Sequence, residues 1–142
     1  MQAIGSGTTD TRCELPLDLQ SIGALRRFVL AQSLQAGLPE PEAALFELAS
    51  VEVLTNIVRH GKGLLAGAPL EIMAHCTAQA IVLELSYCGE AFTPPTATPT
   101  PDLGALREGG FGMTIIRSAC SELAFLHHNG INTVRMTRLI PA

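Results

Sequence analysis

The stretch "VEVLTNIVRH" (residues 51–60) decides how this chain is read. Val51, Val53, Leu54, Ile57 and Val58 give it the apolar positions of a helix built for burial. Glu52, Asn56 and His60 recur through it at intervals of four. Residues four apart in an α-helix are displaced by about 40° around the axis, so these three span an arc of only about 80°. They form a stripe at the edge of the core face, where a pocket wall would stand. Alone, the stripe also fits a solvated face, because i,i+4 polar pairs are weakly stabilising there. Its chemistry offers a second meaning. An amide oxygen is a neutral, hard ligand for Mg²⁺. A carboxylate one turn earlier can take a proton from a hydroxyl or water, and an imidazole one turn later can donate toward phosphate. Zinc is not indicated, since no second His or Cys cluster completes a tetrahedral set.

The surrounding chain builds outward from this helix. "LPEPEAALFELASVEVLTNIVRHG" (residues 38–61) opens with prolines and acidic residues in its first turn and stops at Gly61. Before it, Asp18 caps a helix through "LQSIGALRRFVLAQSLQ", ended by Gly37, and "RCELPL" (12–17) is a short strand. After it, "LEIMAHCT" (70–77) and "IVLELSY" (81–87) form a strand pair with a tight turn at 78–80. "FGMTIIRSACSEL" (111–123) is a third helix, followed by two strands around an Asn129-Gly130 hairpin signal. The order β-α-α-β-β-loop-α-β-β predicts an α+β fold, a mainly antiparallel sheet with helices on one face.

Between the second strand pair and the third helix lies "TPPTATPTPDLGALREGG" (93–110), rich in proline and threonine, as expected of a lid or binding loop. It ends in Gly109, Gly110 and Gly112 at a helix start. Free N–H groups and close backbone approach there suit an anion, though a plain turn fits as well. Gly89, after Tyr87 and Cys88, either lets a ligand lie against the strand end or simply turns the chain.

Composition narrows the classes. The 142 residues suit one domain, with residues 1–11 as a flexible N-terminus and 12–142 as the domain. Nine Lys/Arg against thirteen Asp/Glu give a net charge of −4, which disfavours nucleic-acid and anionic-membrane surfaces. The chain lacks Trp and has one Tyr, so no base-stacking platform is expected. Four cysteines without a C-x-x-C pair read as free thiols of a reducing cytoplasm. No signal peptide is legible, and no apolar run reaches the ~18 residues of a membrane span.

Three segments in fixed order carry a resemblance: E-x-x-x-N-x-x-x-H on a helix, a strand ending near a glycine, and a long loop closed by G-G-x-G before a helix. The chain resembles the GHKL, or Bergerat-fold, ATPases, and within them the bacterial anti-sigma factor serine/threonine kinases. The resemblance implies a two-layer sandwich with a mixed, mainly antiparallel sheet, over roughly residues 12–140. It implies Glu52 as general base, Asn56 as Mg²⁺ ligand and His60 as a neighbour of the phosphates. Gly89, Gly109, Gly110, Phe111 and Gly112 would contribute to nucleotide binding, and residues 93–110 would be the ATP lid. Implied cofactors are ATP and Mg²⁺. Implied partners are a STAS-domain antagonist and a sigma factor, with a homodimer and a cytoplasmic location. One position departs: Tyr87 stands where the family has the Asp that pairs with the adenine amino group. A phenol is bulkier and neutral, and losing a hydrogen bond to a charged group weakens binding on the order of 10–100-fold. Two alternatives follow. One is a GHKL-fold module that regulates its partner by contact, without ATP turnover. The other is a detached histidine-kinase ATPase domain, which would need a phosphoacceptor-helix segment in this chain or in a partner, and this chain shows none.

Overall fold

The computed structural model describes residues 8–65, 67–93 and 112–142. The elements run β1 (Thr9–Pro16), a 3-10 turn (Leu19–Ser21), α1 (Ile22–Ala36), α2 (Glu40–His60), β2 (Pro69–Cys76), β3 (Ala80–Cys88), α3 (Gly112–Ala119), β4 (Glu122–His128) and β5 (Ile131–Leu139). The strands form one sheet in the order β1-β2-β3-β5-β4. Every pairing among the described residues is antiparallel.

Local chemistry sets the element ends. Asp18 accepts the N–H of Gln20 at 2.6 Å and starts the 3-10 turn. Gly37 closes α1 at φ 106°, its N–H donating to Leu34 O while Leu38 N–H donates to Ser33 O, a Schellman motif. Glu40 and Glu42 sit in the first turn of α2 and Arg59 and His60 in its last, each matching the helix dipole. Asn129 (φ 50°) and Gly130 (φ 78°) make the left-handed pair of a two-residue hairpin.

Strand alternation divides the sheet. Leu70, Ile72, Ile81, Leu83, Leu85, Val134 and Met136 are buried under the helices. They meet Leu25 and Val29 of α1 and Phe46, Val53, Leu54 and Ile57 of α2 in one core. The alternate residues face away, where Arg135 donates to Glu84 at 2.7 Å. α2 packs between α1 and α3.

Three boundaries differ from the sequence reading. The first helix begins at Ile22, because Leu19–Ser21 after the Asp18 cap form a 3-10 turn. β1 begins at Thr9 rather than Arg12, because its pairing with β2 continues to the Thr9–Cys76 position. α3 ends at Ala119 rather than running to Leu123. Glu122 and Leu123 pair instead with Thr137 and Met136 of β5, and Ser121 N–H donates to Thr137 O at 2.7 Å.

Candidate functional site

Burial of Val53, Leu54 and Ile57 fixes the rotation of α2. Glu52 and Asn56 therefore emerge half-buried at its edge, facing the start of α3. There a Cβ on Gly112 would lie 3.0 Å from Glu52 Oε1 and 3.9 Å from Asn56 Nδ2. The missing side chain lets the α3 backbone come down onto the carboxylate. The Asn56 amide donates through Nδ2 to Met113 Sδ at 3.6 Å. That leaves its Oδ1 without a protein partner among the described residues, and Glu52 likewise has no ion pair or hydrogen bond there. The Glu52 carboxylate oxygen and the Asn56 amide nitrogen thus face the same stretch of α3.

Beneath this cluster, Asn56, Ile57, Met113, Phe92, Phe125 and Val134 meet along a mostly apolar seam too tight to admit a water molecule. Phe92 closes one side by stacking on Phe125, with ring centroids 5.9 Å apart. A wider, open depression between Arg12, Glu14, Glu71 and Glu84 lies on the other face of the sheet, away from the cluster.

The turn after β3 forms a second cluster. A Cβ on Gly89 would lie 3.0 Å from Leu64 Cδ2 and 3.1 Å from Lys62 O, so only glycine lets these two loops close together. Glu90 N–H donates to Lys62 O at 2.9 Å. Asn132, 3% exposed on β5, grips the turn from the other side. Its Nδ2 donates to Glu90 O at 2.8 Å and its Oδ1 accepts from Phe92 N–H at 2.9 Å. His127 Nε2 lies 3.3 Å from Gly89 O. Sequence reasoning missed both residues. Asn132 had one readable signal, an amide at a core-facing position of an alternating strand. His127 had none, since its partner is a backbone carbonyl on another strand.

Tyr87 is the cross-strand partner of Asn132. It is 2% exposed, and its hydroxyl has no hydrogen-bond partner among the described residues. Burial pushes the phenol up to about 12, so it stays a neutral O–H at physiological pH.

The structure thus joins Glu52, Asn56 and Gly112, and places Gly89 with Tyr87 and Asn132 at the neighbouring strand ends. His60 is exposed in the last turn of α2 and makes no hydrogen bond among the described residues. Gly109, Gly110 and Phe111, with all of the 93–110 loop beyond Thr93, lie outside the described residues. Among the described residues, no three His, Cys, Asp or Glu side chains gather as a metal site, and no helix is long and apolar enough to cross a membrane.

A sequence family described as a histidine kinase-like ATPase domain matches residues 15–138. The chain is similar to the crystal structure of the RsbU and RsbW domains of Rv1364c from Mycobacterium tuberculosis, with a TM-score of 0.65 and 16% identity. The similarity covers 92% of this chain and 32% of that one, so this chain spans about a third of the other's length. At that identity the likeness establishes the fold. No curated protein sequence matches the chain significantly.

Proposed function

The chain belongs to the histidine kinase-like ATPase domain family, and we propose that it acts there as an anti-sigma-type serine/threonine kinase. In this reading it phosphorylates a small STAS-domain antagonist and thereby controls a sigma factor, in the cytoplasm and as a homodimer. Residues 12–142 form the working domain and 93–110 its lid. The observation that carries the proposal is the meeting of Glu52, Asn56 and Gly112 at the start of α3.

The residues present fit Mg-ATP on two counts. Gly112 leaves open backbone where a Cβ would press on Glu52. Asn56 turns its nitrogen to Met113, which frees the hard oxygen a Mg²⁺ ion prefers. Bound Mg-ATP would provide the γ-phosphoryl group and part of the charge balance in its transfer. Asn56 Oδ1 would hold the ion. Glu52 would accept the proton of the acceptor hydroxyl. Gly109, Gly110, Phe111 and His60 would complete the phosphate side, and Gly89 the base side. Catalysis of this kind is mainly positioning and electrostatics.

A second reading, regulation by contact alone, draws support from Tyr87. Its ring is packed into the core, and the space beside α2 is narrow. Incubation with γ-labelled Mg-ATP and a STAS-domain protein of the same organism separates the two. Label on a Ser or Thr of the STAS protein, lost in Glu52→Gln, supports the kinase. A stable complex with no label transferred supports contact alone.

A further inference from the structure

We propose that Met113 is a positioning residue: its thioether fixes which way the Asn56 amide is turned, so that the oxygen rather than the nitrogen is the atom offered to a cation. This rests on the nucleotide-site reading above and deepens it by naming the residue that readies Asn56.

The two ends of an Asn amide fill nearly the same space and have opposite chemistry, one an acceptor oxygen and the other a donor nitrogen. Packing alone cannot tell them apart; hydrogen bonding can. The Asn56 side chain makes one hydrogen bond among the described residues, from Nδ2 to Met113 Sδ at 3.6 Å. A thioether sulfur accepts weakly and has no proton to give. Turning the amide over would set Oδ1 against Sδ, two acceptors with nothing to share. The Glu52 carboxylate, facing the same stretch of α3, is an acceptor as well. Both neighbours therefore favour the nitrogen on the α3 side.

Met113 can act in this way because its surroundings hold it. Methionine is a flexible side chain in general, but here it is 3% exposed. It lies in the seam with Ile57, Phe92, Phe125 and Val134. The core needs an apolar side chain at this place, and leucine would serve. The sulfur is the part that packing leaves unexplained, and Asn56 is where it makes its hydrogen bond. Asn56 itself is half-buried, so the amide is not sealed in the core with its partner. Removing a group that orients a metal ligand commonly weakens metal binding by about 10–100-fold. A thioether is a weak acceptor, which places the expected effect at the low end.

The test is calorimetric titration of the full chain with Mg-ATP, and with ATP in EDTA, on wild type, Met113→Leu, Asn56→Asp and the double variant. Leucine nearly conserves the volume and should leave the fold intact, which thermal melting checks. Met113→Leu should weaken Mg-ATP by about tenfold and leave metal-free ATP within about twofold. A carboxylate presents an oxygen whichever way it turns. Met113→Leu added to Asn56→Asp should therefore change the affinity for Mg-ATP by less than about twofold. A residue that only packs would lose the same factor in both backgrounds, with and without metal. That result, or a Met113→Leu variant that binds Mg-ATP as tightly as wild type, overturns the proposal and leaves the nucleotide site standing. If Asn56→Asp does not fold, the comparison of Mg-ATP with metal-free ATP decides alone. Failure of the folded wild type to bind ATP in either form overturns the nucleotide-site reading, and this proposal with it.

Discussion

Gly112 at the start of α3 lies directly over Glu52 on α2: a methyl group at Gly112 would sit 3.0 Å from the Glu52 carboxylate. The two helices meet there because Val53 and Ile57 on one, and Met113 and Ile116 on the other, are buried in the same core. Packing decides the rotation of both helices, and the rotation delivers the carboxylate to the helix start.

Gly112→Ala tests that contact. The clashing atom is the end of a flexible side chain, so folding should change by less than about 1 kcal/mol. Glu52 must shift by a few tenths of an ångström, and under the proposed role of Glu52 as base that misplacement costs rate. Thermal melting should stay in place while transfer of label to the acceptor protein falls by about tenfold or more.

Gly61→Ala should behave in the opposite way. The added Cβ would lie 2.5 Å from Ile57 O, a backbone atom that cannot swing aside. The end of α2 must distort, at a cost of about 2 kcal/mol or more. Urea denaturation would register it as a lower midpoint with an unchanged slope.

Asn132→Ala removes both bonds that pin the turn after β3. Glu90 O and Phe92 N–H would then lose their protein partners, with a loss of about 2–3 kcal/mol. Asn132→Asp keeps the acceptor for Phe92 but loses the donor to Glu90, and should fall between. Denaturant midpoints of the three proteins check the order.

Much of this was legible in the sequence, and the reasons differ by residue. Gly37 and Asn129-Gly130 declare themselves because positive φ values restrict which residues serve. Glu52 and Asn56 were legible as a stripe because helical geometry is local and regular. The third helix was read four residues too long because "SACSEL" is apolar enough for a helix, and only pairing with β5 claims its end as strand. Asn132 gave only a weak signal for a related reason. An Asn in an alternating strand reads as one polar residue among others, and its partners lie far off in the chain. The Glu52–Gly112 approach needed the packing of two helices, which no local pattern encodes.

Tyr87 gives the stability a pH dependence. Burial raises its phenol from 10.0 to about 12. Below pH 10 the group is protonated in both folded and unfolded chains, and its contribution is fully present. Between pH 10 and 12 the unfolded chain loses the proton first, so stability falls, by about 2–3 kcal/mol across the window. Burial also raises Cys120, to about 11 against an opposing effect of Arg138, and acts in the same direction from pH 9 upward. Tyr87→Phe isolates the tyrosine. Its denaturation free energy should fall less steeply than wild type between pH 10 and 12.

Arg138 ties three elements together. From β5 its Nη2 donates to Glu42 Oε1 on α2 at 2.6 Å, and its Nη1 donates to Ala119 O at the end of α3 at 3.1 Å. Arg138→Met leaves a carboxylate and a helix-end carbonyl unpaired, and should cost about 1–3 kcal/mol. Arg138→Lys keeps the charge without the fork and should recover only part of it. Thermal melts of both variants at low and high salt check this, with the Lys variant the more salt-sensitive.

Titration of the folded protein with Mg-ATP tests for a nucleotide site built on Glu52, Asn56 and Gly112. The expected result is a micromolar Kd in wild type that weakens by about a hundredfold in Asn56→Ala, with little change in melting temperature. Absence of binding at millimolar Mg-ATP, or an Asn56→Ala variant that binds as tightly as wild type, would contradict it.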